Sequence, residues 1–103
     1  MADICVIYDS KDKKVTSRLV SLLRNQWEVW WAEDDIPQGD WEQQVREQIS
    51  QANAVVPVLS FHTEKNDVFK DELEWAKKCD RLIFPFFISK AEVKQNYLLD
   101  LGG

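Results

Sequence analysis

Three carboxylates fall close together in one short stretch of the sequence, at Asp71, Glu72 and Glu74. The pattern around them predicts the opening turns of a helix, with one apolar stripe formed by Phe69, Leu73 and Ala76. Glu72 falls at the edge of that stripe, whereas Asp71 and Glu74 point away from it. An acidic first turn that complements the helix dipole explains Asp71 and Glu74 better than it explains Glu72. The pattern alone leaves Glu72 open between a helix-end charge and a carboxylate turned inward.

A single inward carboxylate suits a reaction that passes through an oxocarbenium-like transition state. Glycosidases normally use two carboxylates, because their leaving group must be protonated. The nicotinamide of NAD+ is already cationic, so one carboxylate can stabilise the ribosyl cation and position its hydroxyls. Aromatic side chains that could stack on the bases are Tyr8, Trp31, Phe61 and Phe69. Core packing is the alternative for each of these aromatics, and the more common one.

Other chemistries fit the sequence less well. The chain has one histidine, His62, which disfavours a Ser/His triad or a multi-histidine metal site, and no metal is predicted. Three glycines, two of them Gly102 and Gly103, do not make a phosphate-binding loop. A phosphoacceptor is also disfavoured, because Ser60 stands where a receiver domain needs a carboxylate.

Composition predicts one folded domain over residues 1–103. A net charge of -5 argues against a nucleic-acid or anionic-membrane binder, which needs a basic face. No stretch approaches the roughly 20 apolar residues of a membrane span. Cys5 and Cys79 are interpreted as reduced thiols, which predicts a cytoplasmic location.

Hydrophobic patterns predict alternating strands and helices. The expected strands cover residues 4–8, 27–31, 54–59 and 82–88, with a possible last strand at 97–101. Between them, the first helix is expected to bury Val15, Leu19, Leu22 and Leu23 and to be capped by Asp9, Ser10 or Asp12. The next begins at Asp40 and carries Trp41, Val45, Ile49 and Ala52 on one face. Pro57 and Pro85 lie inside strands, so a bulge or a skipped hydrogen bond is expected there.

This order predicts an α/β fold, a flavodoxin-like doubly wound parallel sheet with strand order 2-1-3-4-5 and helices on both faces. Such a sheet has a switch point between its first and third strands, where ligands bind beyond the carboxyl ends. Four segments are expected to converge there: residues 8–10, the loop around Pro37, residues 60–62 and the first turns of the Glu72 helix.

Several segments also carry the motifs of a known family, in matching order and spacing: residues 3–8 with 10–12, 29–31 with 35–40, 54–60 with 71–73, and 83–86. On these motifs the chain resembles a Toll/interleukin-1 receptor (TIR) domain of the short prokaryotic type, without the family's final helix.

The resemblance implies an NAD+ glycohydrolase or ADP-ribosyl cyclase, an effector in immune or anti-phage defence with NAD+ as substrate and no cofactor. The family's catalytic glutamate falls on Glu72. The implied substrate-binding residues are Tyr8, Asp9, Ser10, Trp31, Pro37, Phe61 and Val68. Val68 departs from the tryptophan that is often found four residues before the glutamate. Ala32, Cys5 and Ile7 also differ from the residues common in the family.

The resemblance further implies self-association, through an assembly loop made of Asp35, Ile36, Pro37, Gln38, Gly39 and Asp40. A fused or separate sensor domain is the implied partner that gathers the subunits. The alternative to an enzyme is a non-catalytic TIR adaptor that signals by homotypic assembly. The departure at Val68 favours the adaptor, whereas an inward Glu72 favours the enzyme.

Overall fold

The fold is taken from a computed structural model, which describes residues 2–32 and 41–88. The assembly loop, including Pro37, and the possible last strand at 97–101 lie outside the described residues.

The described strands form one parallel sheet. They are β1 (Ile4–Ile7), β2 (Val29–Trp31), β3 (Ala54–Leu59), β4 (Leu82–Ile83) and β5 (Phe86–Phe87). The order is β2-β1-β3-β4, with β5 also paired to β3, and every pair is parallel. This confirms the predicted doubly wound sheet. The second strand begins two residues later than expected, because the Trp27 N–H bonds to the Leu23 carbonyl at 3.0 Å and continues the helical turn.

The predicted fourth strand is divided into β4 and β5 without a change of register. Leu82 pairs with Ala54 and Phe86 pairs with Val58, so the offset is the same on both sides of the break. The N–H of Phe84 bonds to Val55 and that of Ile88 to Leu59, so the even-numbered residues of this segment face β3. Pro85 therefore faces away from β3, and the break lies opposite Pro57, which has no N–H to donate. The expected skipped hydrogen bond is confirmed, and no bulge forms.

In the described part of the chain, three α-helices connect these strands: α1 (Lys13–Leu23), α2 (Trp41–Gln51) and α3 (Asp67–Lys78). Short 3-10 turns precede α1 and α3, at Ser10–Asp12 and Thr63–Lys65. Asp9 caps the first of these turns by accepting from the Lys11 N–H, whereas Asp12, at the start of α1, makes no side-chain capping bond.

The buried face of α1 matches the predicted one only in part. Leu19 and Leu23 pack partly buried against the core, as predicted, whereas Val15 and Leu22 are exposed. Thr16 and Val20 are buried in their place. Thr16 tolerates burial because its hydroxyl donates to the Asp12 carbonyl at 2.8 Å, which satisfies the polar group within the helix. The inward stripe of α1 is therefore rotated by about one residue from the purely apolar pattern.

The core has one layer on each face of the sheet. On one face α2 and α3 pack against alternate residues of β1 and β3, through Val45, Ile49, Phe69, Leu73 and Ala76. On the other face α1 packs through Val20, against Val6, Val29, Val56 and Val58. Helices thus cover both faces, as predicted, and α2 contacts α3 directly. This contact positions the candidate site.

Candidate functional site

A cavity of about 140 Å³ opens at the carboxyl end of β1, beneath α2 and α3. The residues that line it belong to β1, β2, α2 and α3 or to the segments next to them: Val6, Ile7, Tyr8, Ser10, Trp30, Ala32, Trp41, Val45, Asn66, Val68, Phe69 and Glu72. The cavity thus combines an apolar and aromatic wall with a few polar groups, as small-molecule sites do.

Glu72 contributes a carboxylate to this cavity, and its side chain is turned inward. It lies in the second turn of α3 and is only 5% exposed. Burial raises its pKa from an ordinary 4.5 to about 9, with further contributions from the hydrogen-bonded carboxyl of Glu42 and the charge of Asp71. Arg46 lowers the pKa but does not offset these effects. At this pKa, Glu72 is mostly neutral at pH 7. The sequence left Glu72 open between a helix-end charge and a carboxylate turned inward, and the structure shows that it is turned inward.

Glu42 is the partner of Glu72, and it was missed from the sequence. It lies in the first turn of α2. Its Oε1 is buried, and no N–H group or hydroxyl of the described residues donates a hydrogen bond to it. The side chain of Glu42 hydrogen-bonds to that of Glu72, and this bond contributes to the raised pKa of Glu72. The available signal was spacing, because Glu42 stands three and seven residues before Val45 and Ile49, on their face of the helix.

The first-strand residues form a braced edge beside the cavity. Tyr8 and Ser10 line it, and the Tyr8 hydroxyl donates to the Ala32 carbonyl. Asp9 is buried away from the lining, and its two oxygens accept from the Lys11 N–H and from Asn66 Nδ2, each at 2.8 Å. Asp9 therefore lies next to the site and holds two loops together, while a direct role in substrate binding stays a prediction.

Trp31 and Phe61 lie elsewhere than the sequence suggested. Trp31 is buried on the opposite face of the sheet, in the layer of α1, and its neighbour Trp30 lines the cavity instead. Alternate residues of a strand face opposite sides, so only one of the two tryptophans can point toward Glu72. Phe61 is 49% exposed, outside the lining, and contacts His62 and Lys65. Val68 does line the cavity and is half exposed.

A second polar cluster lies at the carboxyl end of β3. Asp12 accepts from Ser60 Oγ at 2.5 Å and contacts His62 Nδ1 at 2.9 Å. The His62 backbone N–H donates to Ser60 Oγ at 3.0 Å. A nucleophilic triad needs the imidazole between the hydroxyl and the carboxylate, whereas here the carboxylate lies between the other two. The cluster therefore braces the loop after β3.

Within residues 2–32 and 41–88, no group of three or more His, Cys, Asp or Glu side chains is arranged to hold a metal ion. Over the same part of the chain, no helix has the length and apolar character needed to cross a membrane.

Comparison with known proteins gives one family. The family model described as TIR domain matches residues 4–102. Among solved structures, the chain is similar to the TIR domain of the Toll-related receptor TRR-2 from the lower metazoan Hydra magnipapillata, with a TM-score of 0.76 and 19% identity. That match covers 97% of this chain and 79% of the other, and at this identity it supports the fold alone. A search of curated proteins finds no match.

Proposed function

The chain belongs to the TIR domain family, and we propose that it cleaves NAD+ at the nicotinamide–ribose bond, with Glu72 as the catalytic carboxylate. The observation that carries the proposal is the placement of Glu72, which is buried and yet lines the cavity together with Tyr8, Trp30 and Trp41. Carboxylates on a helix are normally exposed, as those of Asp71 and Glu74 are on the same helix. A carboxylate held inside an aromatic-walled cavity instead suits a developing cation.

The proposed reaction needs one ionised carboxylate. The C–N bond breaks as nicotinamide leaves with the bonding electron pair, and ribose becomes an oxocarbenium-like cation. Glu72, in its ionised form, stabilises that cation and accepts hydrogen bonds from the ribose hydroxyls. Water then attacks the anomeric carbon and loses a proton, which gives ADP-ribose. Nicotinamide departs as a neutral molecule, so no general acid is required.

The size of the cavity indicates which part of the substrate it holds. Ligand sites typically measure roughly 300–1,000 Å³, whereas this cavity measures about 140 Å³. The reacting nicotinamide and ribose fit such a space better than a whole dinucleotide does. We therefore place the nicotinamide end beside Glu72, with Trp30 and Trp41 as the aromatic wall, and the adenosine end outside the cavity.

Nicotinamide release from NAD+ at high protein concentration tests the proposal. Glu72→Gln keeps the shape and hydrogen-bonding capacity of the side chain but removes its charge, and we expect a loss of at least about 100-fold in turnover. Glu74→Gln is the matched control, since Glu74 is exposed on the same helix and pairs with Lys77 at 3.5 Å. Turnover that survives unchanged in Glu72→Gln overturns the assignment.

The second candidate function is a non-catalytic TIR adaptor that signals by homotypic assembly. Val68 favours it, because this half-exposed aliphatic residue occupies part of the cavity wall where the family often has tryptophan. Absence of nicotinamide release, even after the domain is clustered through a fused oligomer, would favour the adaptor over the enzyme.

In either function we propose self-association through residues 35–40, promoted by a fused or separate sensor domain. Gly39→Pro is expected to reduce self-association without unfolding the domain, as measured by light scattering and circular dichroism. Intact oligomers in that variant count against the loop. The two free thiols, Cys5 and Cys79, support a reducing compartment, so we propose a cytoplasmic effector of immune or anti-phage defence.

A further inference from the structure

We propose that Glu42 is a positioning residue for Glu72: the two carboxyl groups share one proton across the contact of α2 with α3, and this proton controls the charge of Glu72. The link to turnover rests on the proposed function. The proton-sharing pair itself rests on geometry and can be tested without NAD+.

The two oxygens of Glu42 have different surroundings. Oε2 faces outward and lies 3.9 Å from Nε of Arg46, in the same helix. Oε1 is buried, and no N–H group or hydroxyl of the described residues donates a hydrogen bond to it. An unpaired buried acceptor is unfavourable, and a protonated carboxyl of Glu72 satisfies it with one hydrogen bond. Two carboxyl groups that hydrogen-bond to each other cannot both be charged at low cost.

The other groups that face the pair do not remove the need for the proton. Arg46 lies over the Trp75 ring, 5.4 Å from its centroid, and toward the outer oxygen of Glu42. Asp71 adds negative charge on α3. From β1, the Cys5 thiol faces Glu72, and burial followed by the charge of Glu72 raises the Cys5 pKa to about 12, so the thiol stays neutral. The shared proton is therefore the main compensation for the buried carboxylate.

This arrangement has a direct consequence for the proposed reaction. Glu72 stabilises the ribosyl cation only after the shared proton has left, so turnover rises with pH as the pair ionises. Because the groups interact strongly, the pair titrates as one unit. An amide at position 42 donates a hydrogen bond to an ionised Glu72 and carries no charge. Glu42→Gln should then favour the ionised form of Glu72 at lower pH.

The decisive experiment is a pH titration by NMR of the folded chain labelled with ¹³C at the glutamate carboxyl carbons. The Glu72 resonance is assigned by its loss in Glu72→Gln. We expect its midpoint to lie above pH 7 in the parent and to fall by more than one pH unit in Glu42→Gln. Arg46→Gln removes the nearby cation and should move the midpoint upward. Glu74→Gln should leave it unchanged.

Two results overturn the pair: a midpoint below pH 7 in the parent, or an unchanged midpoint in Glu42→Gln. The acid limb of kcat/KM for NAD+ should shift in the same direction and by the same amount as the NMR midpoint. If the NMR shifts occur and no nicotinamide is released, the proton-sharing pair stands and the proposed function fails. If NAD+ is cleaved but the midpoints do not move, the function stands and the pair fails.

Discussion

Asn66 donates a hydrogen bond from Nδ2 to Oδ2 of Asp9 at 2.8 Å and so ties the start of α3 to the end of β1. The same side chain accepts from the Phe69 N–H through Oδ1 at 2.9 Å, which caps α3. Asn66 also lines the cavity. One amide therefore fixes the position of the helix that carries Glu72 relative to the first-strand edge of the site.

Replacing Asn66 should reveal both interactions. Asn66→Ala removes the cap and the tie to Asp9, so the free energy of unfolding should fall by about 1–3 kcal/mol. Asn66→Ser keeps a capping oxygen but is too short to reach Asp9, so its stability should lie between that of the parent chain and that of Asn66→Ala. Urea denaturation measures both variants. An Asn66→Ala curve that overlays the parent's would show that neither bond contributes to stability.

The adjacent tryptophans of β2 should respond to substitution in different ways. Trp31 is buried in the α1 layer, so Trp31→Ala should lower the free energy of unfolding by about 3–5 kcal/mol. Trp30 is partly buried and lines the cavity, so Trp30→Ala should cost less stability but raise KM for NAD+ by about tenfold through lost stacking. Urea denaturation and steady-state kinetics separate these effects. A larger KM change in a folded Trp31→Ala would contradict the assignment of faces.

This pair of tryptophans also shows what the sequence could predict. The strand and its position in the sheet follow from an apolar, aromatic run between two helices. The direction of each side chain does not, because both faces of a parallel strand are buried and both must be apolar. The pairing of β1 with β2 determines the direction of each tryptophan: Trp30 pairs with Cys5, on the face covered by α2 and α3.

The same limit explains why Glu72 was predicted and Glu42 was not. Helical spacing relates residues within one helix, and it placed Glu72 at the edge of an apolar stripe. Glu42 and Glu72 are thirty positions apart in the chain, and they meet only because α2 packs against α3. Sequence spacing carries no information about that packing. The loop brace formed by Asp12, Ser60 and His62 was missed for the same reason.

That brace leads to a prediction about stability. Asp12 is 7% exposed and accepts from the buried Ser60 hydroxyl. Asp12→Ala leaves that hydroxyl without its acceptor, so the free energy of unfolding should fall by about 2–3 kcal/mol. Ser60→Ala removes the hydroxyl together with its need for a partner and should cost less. Adding Ser60→Ala to Asp12→Ala should therefore have a smaller effect than in the parent chain, as measured by a double-mutant cycle in urea. Additive effects would exclude a direct coupling.

The buried Glu72 predicts how stability depends on pH. Its pKa is about 9 in the folded chain, compared with an ordinary 4.5. Between these values the native state holds a proton that the unfolded chain releases, so the free energy of unfolding decreases as pH rises. The stabilisation that the Glu72 proton gives to the folded chain is complete below pH 4.5 and is lost as pH rises through about 9. For one proton, the limiting slope is about 1.4 kcal/mol per pH unit.

The side chain at position 72 cannot titrate in Glu72→Gln, so this slope should disappear. The free energy of unfolding of the variant should therefore increase relative to that of the parent between pH 5 and pH 8. Apart from Glu42, which is coupled to Glu72, the other titrating groups are common to both chains and cancel in the difference. Urea denaturation at pH 5.0, 6.5 and 8.0 measures the divergence, and Glu74→Gln should follow the parent's pH dependence, because that carboxylate is exposed. Curves for Glu72→Gln and the parent that stay parallel from pH 5 to pH 8 would mean that Glu72 is ionised in the folded chain, as an exposed carboxylate would be.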